Sequence, residues 1–120
     1  VVSEYINEKT PTDAKIALYG EPRGYYLDRD YLWADESHSA LIDYAGVQDA
    51  AGLVRRWRRL GVTHVLVNRA YFPEPDPHSA DPLVRRMGEA IREGLLTPEV
   101  TPPGSGPYLL LRIDETQARQ

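Results

Sequence analysis

Helices are predicted where apolar residues recur every three or four positions along the chain. The clearest case is Val47–Leu60, in which one face is apolar and arginines cover much of the rest. A second helix is predicted to begin with Asp81 as its N-cap and Pro82 in its first turn, with an apolar stripe that reaches Leu95. A third and shorter helix is predicted over Val1–Lys9.

Short apolar runs between these helices predict five strands. Ile16–Tyr19 and Tyr31–Ala34 come first, and Val62–Val67 is a β-branched run directly after a helix. The last two candidates, Leu95–Val100 and Tyr108–Ile113, flank a segment rich in proline and glycine and predict an antiparallel hairpin. A strand that follows an amphipathic helix is typical of a βαβ crossover and therefore of a parallel sheet.

These elements predict a single α/β domain over residues 1–120, with an N-terminal helix within residues 1–10. We expect a small three-layer Rossmann-like domain whose sheet is mostly parallel, with the order 2-1-3 for its first three strands. The C-terminal antiparallel hairpin closes this sheet, and Pro98 confines the first hairpin strand to an edge position. A polar tail at 114–120 is expected to be frayed.

Irregular structure is predicted at three other places. A single helical turn is expected at Gly24–Leu27, and Asp35–Gly46 is expected to be a loop with one packed turn. Tyr71–Ala80 contains three prolines, which exclude regular structure there.

Composition narrows the classes of function. The chain has 120 residues, 42% of them hydrophobic and 27% charged, which is typical of a globular domain. The net charge of −4 argues against a nucleic-acid-binding domain, and the absence of cysteine excludes disulfides and thiol catalysis. The apolar runs are much shorter than the roughly 20 residues that span a bilayer. The chain begins with Val1 and its only methionine is Met87, so we expect it to be a piece of a longer protein.

Two short motifs resemble known ligand-binding patterns. Gly20-Glu21-Pro22-Arg23-Gly24 follows a strand, but it matches neither the dinucleotide fingerprint nor the P-loop, so a tight turn is the favoured interpretation. Asp28-Arg29-Asp30 has the two carboxylates with which some transferases hold a divalent cation. A charged loop is the favoured interpretation here too.

No catalytic residue, metal site or cofactor is predicted. The three histidines, His38, His64 and His78, do not show the spacing of metal ligands, and no serine lies in a nucleophile elbow. His64 is expected to be a packed or sheet-edge residue.

A ligand or interface surface is nevertheless expected beyond the carboxyl ends of the parallel strands, where open α/β sheets bind ligands. Its candidate residues follow the first and third strands: Glu21, Arg23, Tyr25, Tyr26, Asn68, Arg69 and Tyr71. Such side chains suit a glycan or a lipid-phosphate head group. The alternative, which we favour for most of them, is that Tyr25, Tyr26 and Phe72 belong to the core and that the arginines are solvated or face another domain.

The arginine-rich stretch Arg55–Arg59 has two interpretations as well. Its four arginines can face anionic lipid or a partner, or form an ordinary solvated helix face. We favour the solvated face, because the chain as a whole is acidic.

Three segments resemble a known family: "EYINEKTPTDAKIALYGEPRGYYLDRDYLWAD", then "RRLGVTHVLVN", then "GPYLLLRI". They are similar to the C-terminal tail of bacterial multi-spanning membrane glycosyltransferases, the relatives of protein mannosyltransferases and aminoarabinose transferase. The most specific pieces are Tyr5-Ile6-Asn7 with Asp13-Ala14-Lys15, Gly24-Tyr25-Tyr26-Leu27, and Leu60–Val67. The resemblance extends from Tyr5 to Ile113.

The resemblance implies a soluble domain outside the cytoplasmic membrane, attached to a transmembrane portion that transfers a sugar from a polyprenyl-phosphate carrier. The family's catalytic carboxylate lies in that membrane portion, and no residue of this chain matches it. The domain is then non-catalytic, with capping of the active site or docking of the acceptor as its expected roles. The alternatives are a free-standing small-molecule or nucleotide-binding α/β domain and a protein-interaction module.

Overall fold

Helices and strands alternate through the part of the chain that the structure, a computed structural model, describes. The described residues are 2–20, 29–33, 47, 49–99 and 106–113. The elements are α1 (Val2–Lys9), β1 (Lys15–Tyr19), β2 (Asp30–Trp33), α2 (Ala50–Arg59), β3 (His64–Asn68), α3 (Pro82–Arg92), β4 (Leu96–Pro98) and β5 (Tyr108–Ile113). The turn predicted at Gly24–Leu27, the loop predicted at Asp35–Gly46 and the tail at 114–120 lie outside the described residues.

The strands form one five-stranded sheet with the order β2-β1-β3-β5-β4. β1 pairs in parallel with both β2 and β3, whereas β5 is antiparallel to both β3 and β4. Four of the five strands therefore run in one direction, and β5 runs against them. The predictions of an α/β fold, of the 2-1-3 order and of a C-terminal antiparallel hairpin are confirmed.

The helix α2 begins where the side chain of Asp49 caps it. The Asp49 carboxylate accepts a hydrogen bond of 2.7 Å from the amide of Gly52, so the helix begins three residues later than the predicted Val47. Its apolar stripe includes Leu53 and Trp57, both fully buried. The Trp57 indole N–H donates a 2.8 Å hydrogen bond to the Tyr19 hydroxyl, which gives a partner to the polar atom of a buried indole.

The helix α3 begins as predicted, with Asp81 as N-cap and Pro82 in its first turn. The proline-rich segment before it packs directly on its surface at Gly88. A Cβ atom at Gly88 would lie 2.3 Å from the backbone nitrogen of Pro77, so only glycine leaves room for this loop. The amide of Asp76 also donates to the carbonyl of Val84, which ties the loop to the helix.

Two core clusters lie on opposite faces of the sheet because successive side chains of a strand alternate between its faces. Ala17 and Tyr19 of β1 belong to the larger cluster, together with buried residues of α2 and α3. Ile16 and Leu18 belong to the smaller cluster, where Ile6 of α1 covers them. Helices therefore cover parts of both faces.

The edge strand β4 is short and contains Pro98, as the sequence predicts. The amide of Glu99 donates to the carbonyl of Leu110 on β5, so the alternate position, Pro98, directs its backbone nitrogen away from β5. A proline at that position removes no hydrogen bond from the ladder. None of the helices in the described residues is long and apolar enough to cross a bilayer.

Candidate functional site

The predicted ligand surface lies at the carboxyl end of the sheet, which is the side where β1, β2 and β3 end. Four of its candidate residues lie outside the described residues: Glu21, Arg23, Tyr25 and Tyr26. The structure places the other three, Asn68, Arg69 and Tyr71, together at the end of β3.

Asn68 holds the turn that follows β3. Its side chain is 3% exposed, and its amide oxygen accepts a 3.0 Å hydrogen bond from the amide of Ala70. Its backbone carbonyl accepts hydrogen bonds from the amides of Tyr71 and Phe72. Asn68 is thus part of a local turn in which the asparagine side chain replaces a backbone group. Tyr71 is 80% exposed and extends from the surface of this turn.

Arg69 and Phe72 also help to hold this end of the molecule together. The Nε of Arg69 donates a 2.8 Å hydrogen bond to the carbonyl of Pro107, and its Nη1 lies 3.2 Å from a carboxylate oxygen of Glu74. The ring of Phe72 lies 5.2 Å from that of Tyr19 and packs against the larger core cluster. Among the described candidates, only Tyr71 extends freely into solvent.

Gly20 closes the same end with a backbone conformation that favours glycine. Its φ is +70°, and a Cβ atom there would lie 2.9 Å from the Cβ of Phe72 and 3.0 Å from the carbonyl oxygen of Asn68. The end of β1 and the turn after β3 are therefore in direct backbone contact.

A pocket lies at the opposite, amino end of the sheet, where β1 and β3 begin. Its volume is about 360 Å³. The residues that line it come from the α1–β1 connection, the start of β3, the residue after β4 and the end of β5: Lys9, Pro11, Asp13, Ala14, Thr63, His64, Glu99, Arg112 and Ile113. A pocket of this size is at the lower end of the range found for small-molecule sites.

Thr63 and His64 form the best-ordered wall of the pocket. The Thr63 hydroxyl accepts a 3.1 Å hydrogen bond from the amide of Lys15 and lies 2.8 Å from Nδ1 of His64. This contact orients the imidazole and leaves its Nε2 without a hydrogen-bond partner among the described residues. His64 is 5% exposed, so its ring is a buried polar group at the wall of a cavity.

The charged residues of the pocket are linked to α1 through Glu99. One carboxylate oxygen of Glu99 lies 3.5 Å from Nη1 of Arg112, and the other accepts a 3.3 Å hydrogen bond from the Tyr5 hydroxyl. Burial lowers the pKa of His64, and Arg112 lowers it further while Glu99 opposes both. Partial burial and the Glu99 carboxylate raise the pKa of Tyr5.

The helix α1 ends at this pocket, and Arg29 caps its last turn. Its guanidinium donates to the carbonyls of Asn7 and Thr10, at 2.6 and 2.9 Å, and to the Thr10 hydroxyl at 3.1 Å. A cation at this position complements the negative end of a helix dipole. The middle residue of the Asp28-Arg29-Asp30 motif therefore joins β2 to α1. Asp28 lies outside the described residues, and Asp30 is exposed.

Sequence reasoning nominated no pocket at the amino end, although a signal for it was present. Asp13 precedes β1, and Thr63 and His64 begin the neighbouring parallel strand, so these side chains must meet at one end of the sheet. Glu99 and Arg112 of the C-terminal hairpin complete the pocket. No local sequence pattern indicates that this hairpin pairs with β3.

The described residues of the site include both hydrogen-bond donors, on Lys9 and Arg112, and acceptors, on Asp13 and Glu99. In the described part of the chain, no group of three or more histidine or acidic side chains is placed to hold a metal ion. No protein-family model matches the chain, and no curated protein matches it either. The chemistry of the pocket is therefore inferred from its own residues, which can orient a polar ligand through hydrogen bonds.

Proposed function

We propose that this chain is the non-catalytic extracytoplasmic domain of a bacterial membrane glycosyltransferase that uses a polyprenyl-phosphate-linked sugar. In this proposal it is a three-layer Rossmann-like domain whose partner is the transmembrane portion of the parent protein. Its pocket at the amino end of the sheet docks the acceptor.

One observation carries the proposal: the segments that resemble the glycosyltransferase family meet at the pocket. Of the nine lining residues in the described part of the chain, these segments supply eight, and Glu99 comes from elsewhere. Segments distant in sequence thus combine into one concave site. The resemblance therefore coincides with a place where a ligand fits.

The charges of the pocket favour an uncharged or zwitterionic polar ligand. Two cations, Lys9 and Arg112, are balanced by two carboxylates, Asp13 and Glu99. Burial lowers the pKa of His64, which favours its neutral imidazole. These balanced charges give a phosphate group little net attraction. The hydroxyl groups of a glycan acceptor can pair with both the donors and the acceptors.

The sequence encoded upstream of Val1 tests the membrane part of the proposal. We expect several apolar segments of about 20 residues each, separated by short loops. A reading frame without such segments would contradict the assignment to a membrane glycosyltransferase. Such a result would not affect the prediction that the pocket binds a ligand, which the next experiment tests.

An NMR titration of the 120-residue chain tests the pocket. We expect neutral oligosaccharides to shift the amide signals of Ala14, His64 and Ile113, and inorganic phosphate to leave them unchanged. The Asp13→Asn variant should weaken the response, because it removes the charge from an exposed lining carboxylate. Arg59→Gln is the matched control, because Arg59 is exposed on α2 and lies outside the pocket.

The pocket also supports a second candidate, a free-standing small-molecule or nucleotide-binding domain, because a single chain supplies its walls. The same titration, carried out with nucleotides and with sugar phosphates, distinguishes this candidate from the acceptor-docking domain. Saturable shifts at the pocket with nucleotides, and none with oligosaccharides, would favour the second candidate. Shifts at Asn68–Tyr71 would place the site at the carboxyl end of the sheet instead.

A further inference from the structure

The helices α2 and α3 contain seven of the fourteen basic residues of an acidic chain, and several of them lie on the outer surface of these helices. We call this surface the arginine face. Its members are Arg55, Arg56, Arg58, Arg59, Arg85, Arg86 and Arg92. The sequence alone showed the first four, and the structure adds those of the neighbouring helix.

Six of these seven arginines have no ion-pair partner within the described residues. Only Arg86 is paired, at 2.8 Å from a carboxylate oxygen of Glu89. Basic residues elsewhere are engaged in the fold: Arg29 caps α1, Arg69 holds Pro107, and the Lys15 ammonium donates to a backbone carbonyl. Among the described residues, six of the unpaired cations therefore lie on α2 and α3, and Lys9 lies apart from them at the pocket.

The two helices that bear this charge are neighbours. They pack against each other over the same face of the sheet, with Leu53, Trp57 and Met87 directed into the core. Helices of 10 and 11 residues are about 15 Å long, and packed helices lie about 10 Å apart. Arg55, Arg59 and Arg92 are exposed on the arginine face.

We infer that the arginine face docks on an anionic lipid surface. A planar surface contacts one face of the molecule, on which Glu89 of α3 and its C-cap Glu93 are outnumbered by the seven arginines. Charges farther away than about one Debye length, roughly 10 Å at 0.1 M salt, are largely screened. Clustered arginines near an anionic leaflet add up to reversible, salt-sensitive binding. Proteins that bind single-stranded nucleic acids stack the bases on exposed aromatic side chains. In the described residues, the large hydrophobic side chains that are exposed are Tyr31 and Tyr71, and neither lies on α2 or α3.

This inference is independent of the pocket and of the resemblance. Sedimentation of the 120-residue chain with vesicles tests it, using phosphatidylcholine vesicles with and without 30% phosphatidylglycerol. We expect binding only to the anionic vesicles, with at least a tenfold loss of affinity between 50 and 300 mM NaCl. The triple variant R55Q/R59Q/R92Q should bind at least tenfold more weakly than the unmodified chain.

The matched control is K9Q/R69Q/R112Q, which removes the same charge from exposed residues outside the arginine face. It should keep most of the vesicle binding, and thermal unfolding should show that both variants fold. Equal losses in the two triple variants would overturn the inference, because net charge alone would then explain the binding. Absence of binding to anionic vesicles would overturn it too, and oligonucleotide binding in their place would identify a nucleic-acid surface.

Discussion

The two ends of the sheet use polar residues in different ways. At the carboxyl end, the side chains of Asn68 and Arg69 hold backbone groups of the surrounding turns. At the amino end, Lys9 and Asp13 line an open pocket and form no hydrogen bond or ion pair within the described residues. The polar side chains after β3 therefore serve the fold, whereas those of Lys9 and Asp13 before β1 remain available for a ligand.

Open α/β sheets generally bind ligands beyond the carboxyl ends of their strands, but this rule alone does not locate the pocket of this chain. Here Gly20 and the turn after β3 approach so closely that the described part of that end is filled. The amino end stays open because the α1–β1 connection and the end of β5 stand apart around His64. Substitutions at the two ends can therefore be compared by how much each lowers the free energy of unfolding.

The largest effect is expected for Gly20→Ala at the carboxyl end. The positive φ of Gly20 and the contacts with Phe72 and the carbonyl of Asn68 should together destabilise the chain by about 2–4 kcal/mol. Urea unfolding measures this change. Gly94→Ala is the control, since Gly94 has a φ of +79° but nothing lies within 4 Å of its added Cβ. It should cost only about 1 kcal/mol. Equal costs would show that the carboxyl end is not tightly closed.

A smaller effect is expected for Asn68→Ala, which removes a buried side chain and the acceptor of the 3.0 Å hydrogen bond from the amide of Ala70. The free energy of unfolding should fall by about 1–2 kcal/mol. Arg112→Gln at the amino end should change it by less than about 0.5 kcal/mol, because its ion pair is long and its side chain is half exposed. The same urea titration compares the two. A larger loss of unfolding free energy for Arg112→Gln than for Asn68→Ala would contradict the assignment of the stabilising polar contacts to the carboxyl end.

The smallest effect is expected in the pH dependence of stability at the amino end. Burial lowers the pKa of His64 from its ordinary 6.5, so the unfolded chain binds this proton first as the pH falls. The stability from neutral His64 is present above about pH 6.5 and is lost as the pH falls through the lower, folded-state pKa. His64→Gln should therefore lose less stability than the unmodified chain between pH 7.5 and 5.5.

His78→Gln is the matched control for that measurement, because His78 is an exposed histidine outside the pocket. It should keep the pH dependence of the unmodified chain. Glu99 and Arg112 face His64 and act on its pKa in opposite directions, but burial is the largest cause. Identical pH profiles for the two variants would contradict the assignment of this loss to His64.

Much of the fold could be predicted because its signals are local. The N-cap Asp81 with Pro82, the apolar stripe around Trp57 and the edge position of Pro98 are each visible within a few residues of sequence. The strand order followed from the chirality of parallel crossovers, which holds for nearly all such units. Element ends were less exact: the helix predicted from Val47 begins at Ala50, because the cap at Asp49 sets its start.

The start of β1 and the start of β3 gave a partial signal for the pocket, but the whole pocket could not be predicted because several of its contacts join residues far apart in the sequence. Thr63 binds the backbone of Lys15 across 48 positions, and Tyr5 reaches Glu99 across 94. His64 was expected to be a packed or sheet-edge residue, and it is indeed buried, but burial in a strand does not tell whether a cavity adjoins the ring. Whether a cavity adjoins the ring depends on the positions of the hairpin and of the α1–β1 connection relative to β3.

The orientation of Pro98 also limits how the molecule can associate. An open edge strand is a template on which another chain can add a strand and extend the sheet. The outward positions of β4 are Leu96 and Pro98, and at Pro98 an incoming strand meets a residue without an N–H group. One proline therefore protects this side of the sheet against growth into larger β-assemblies.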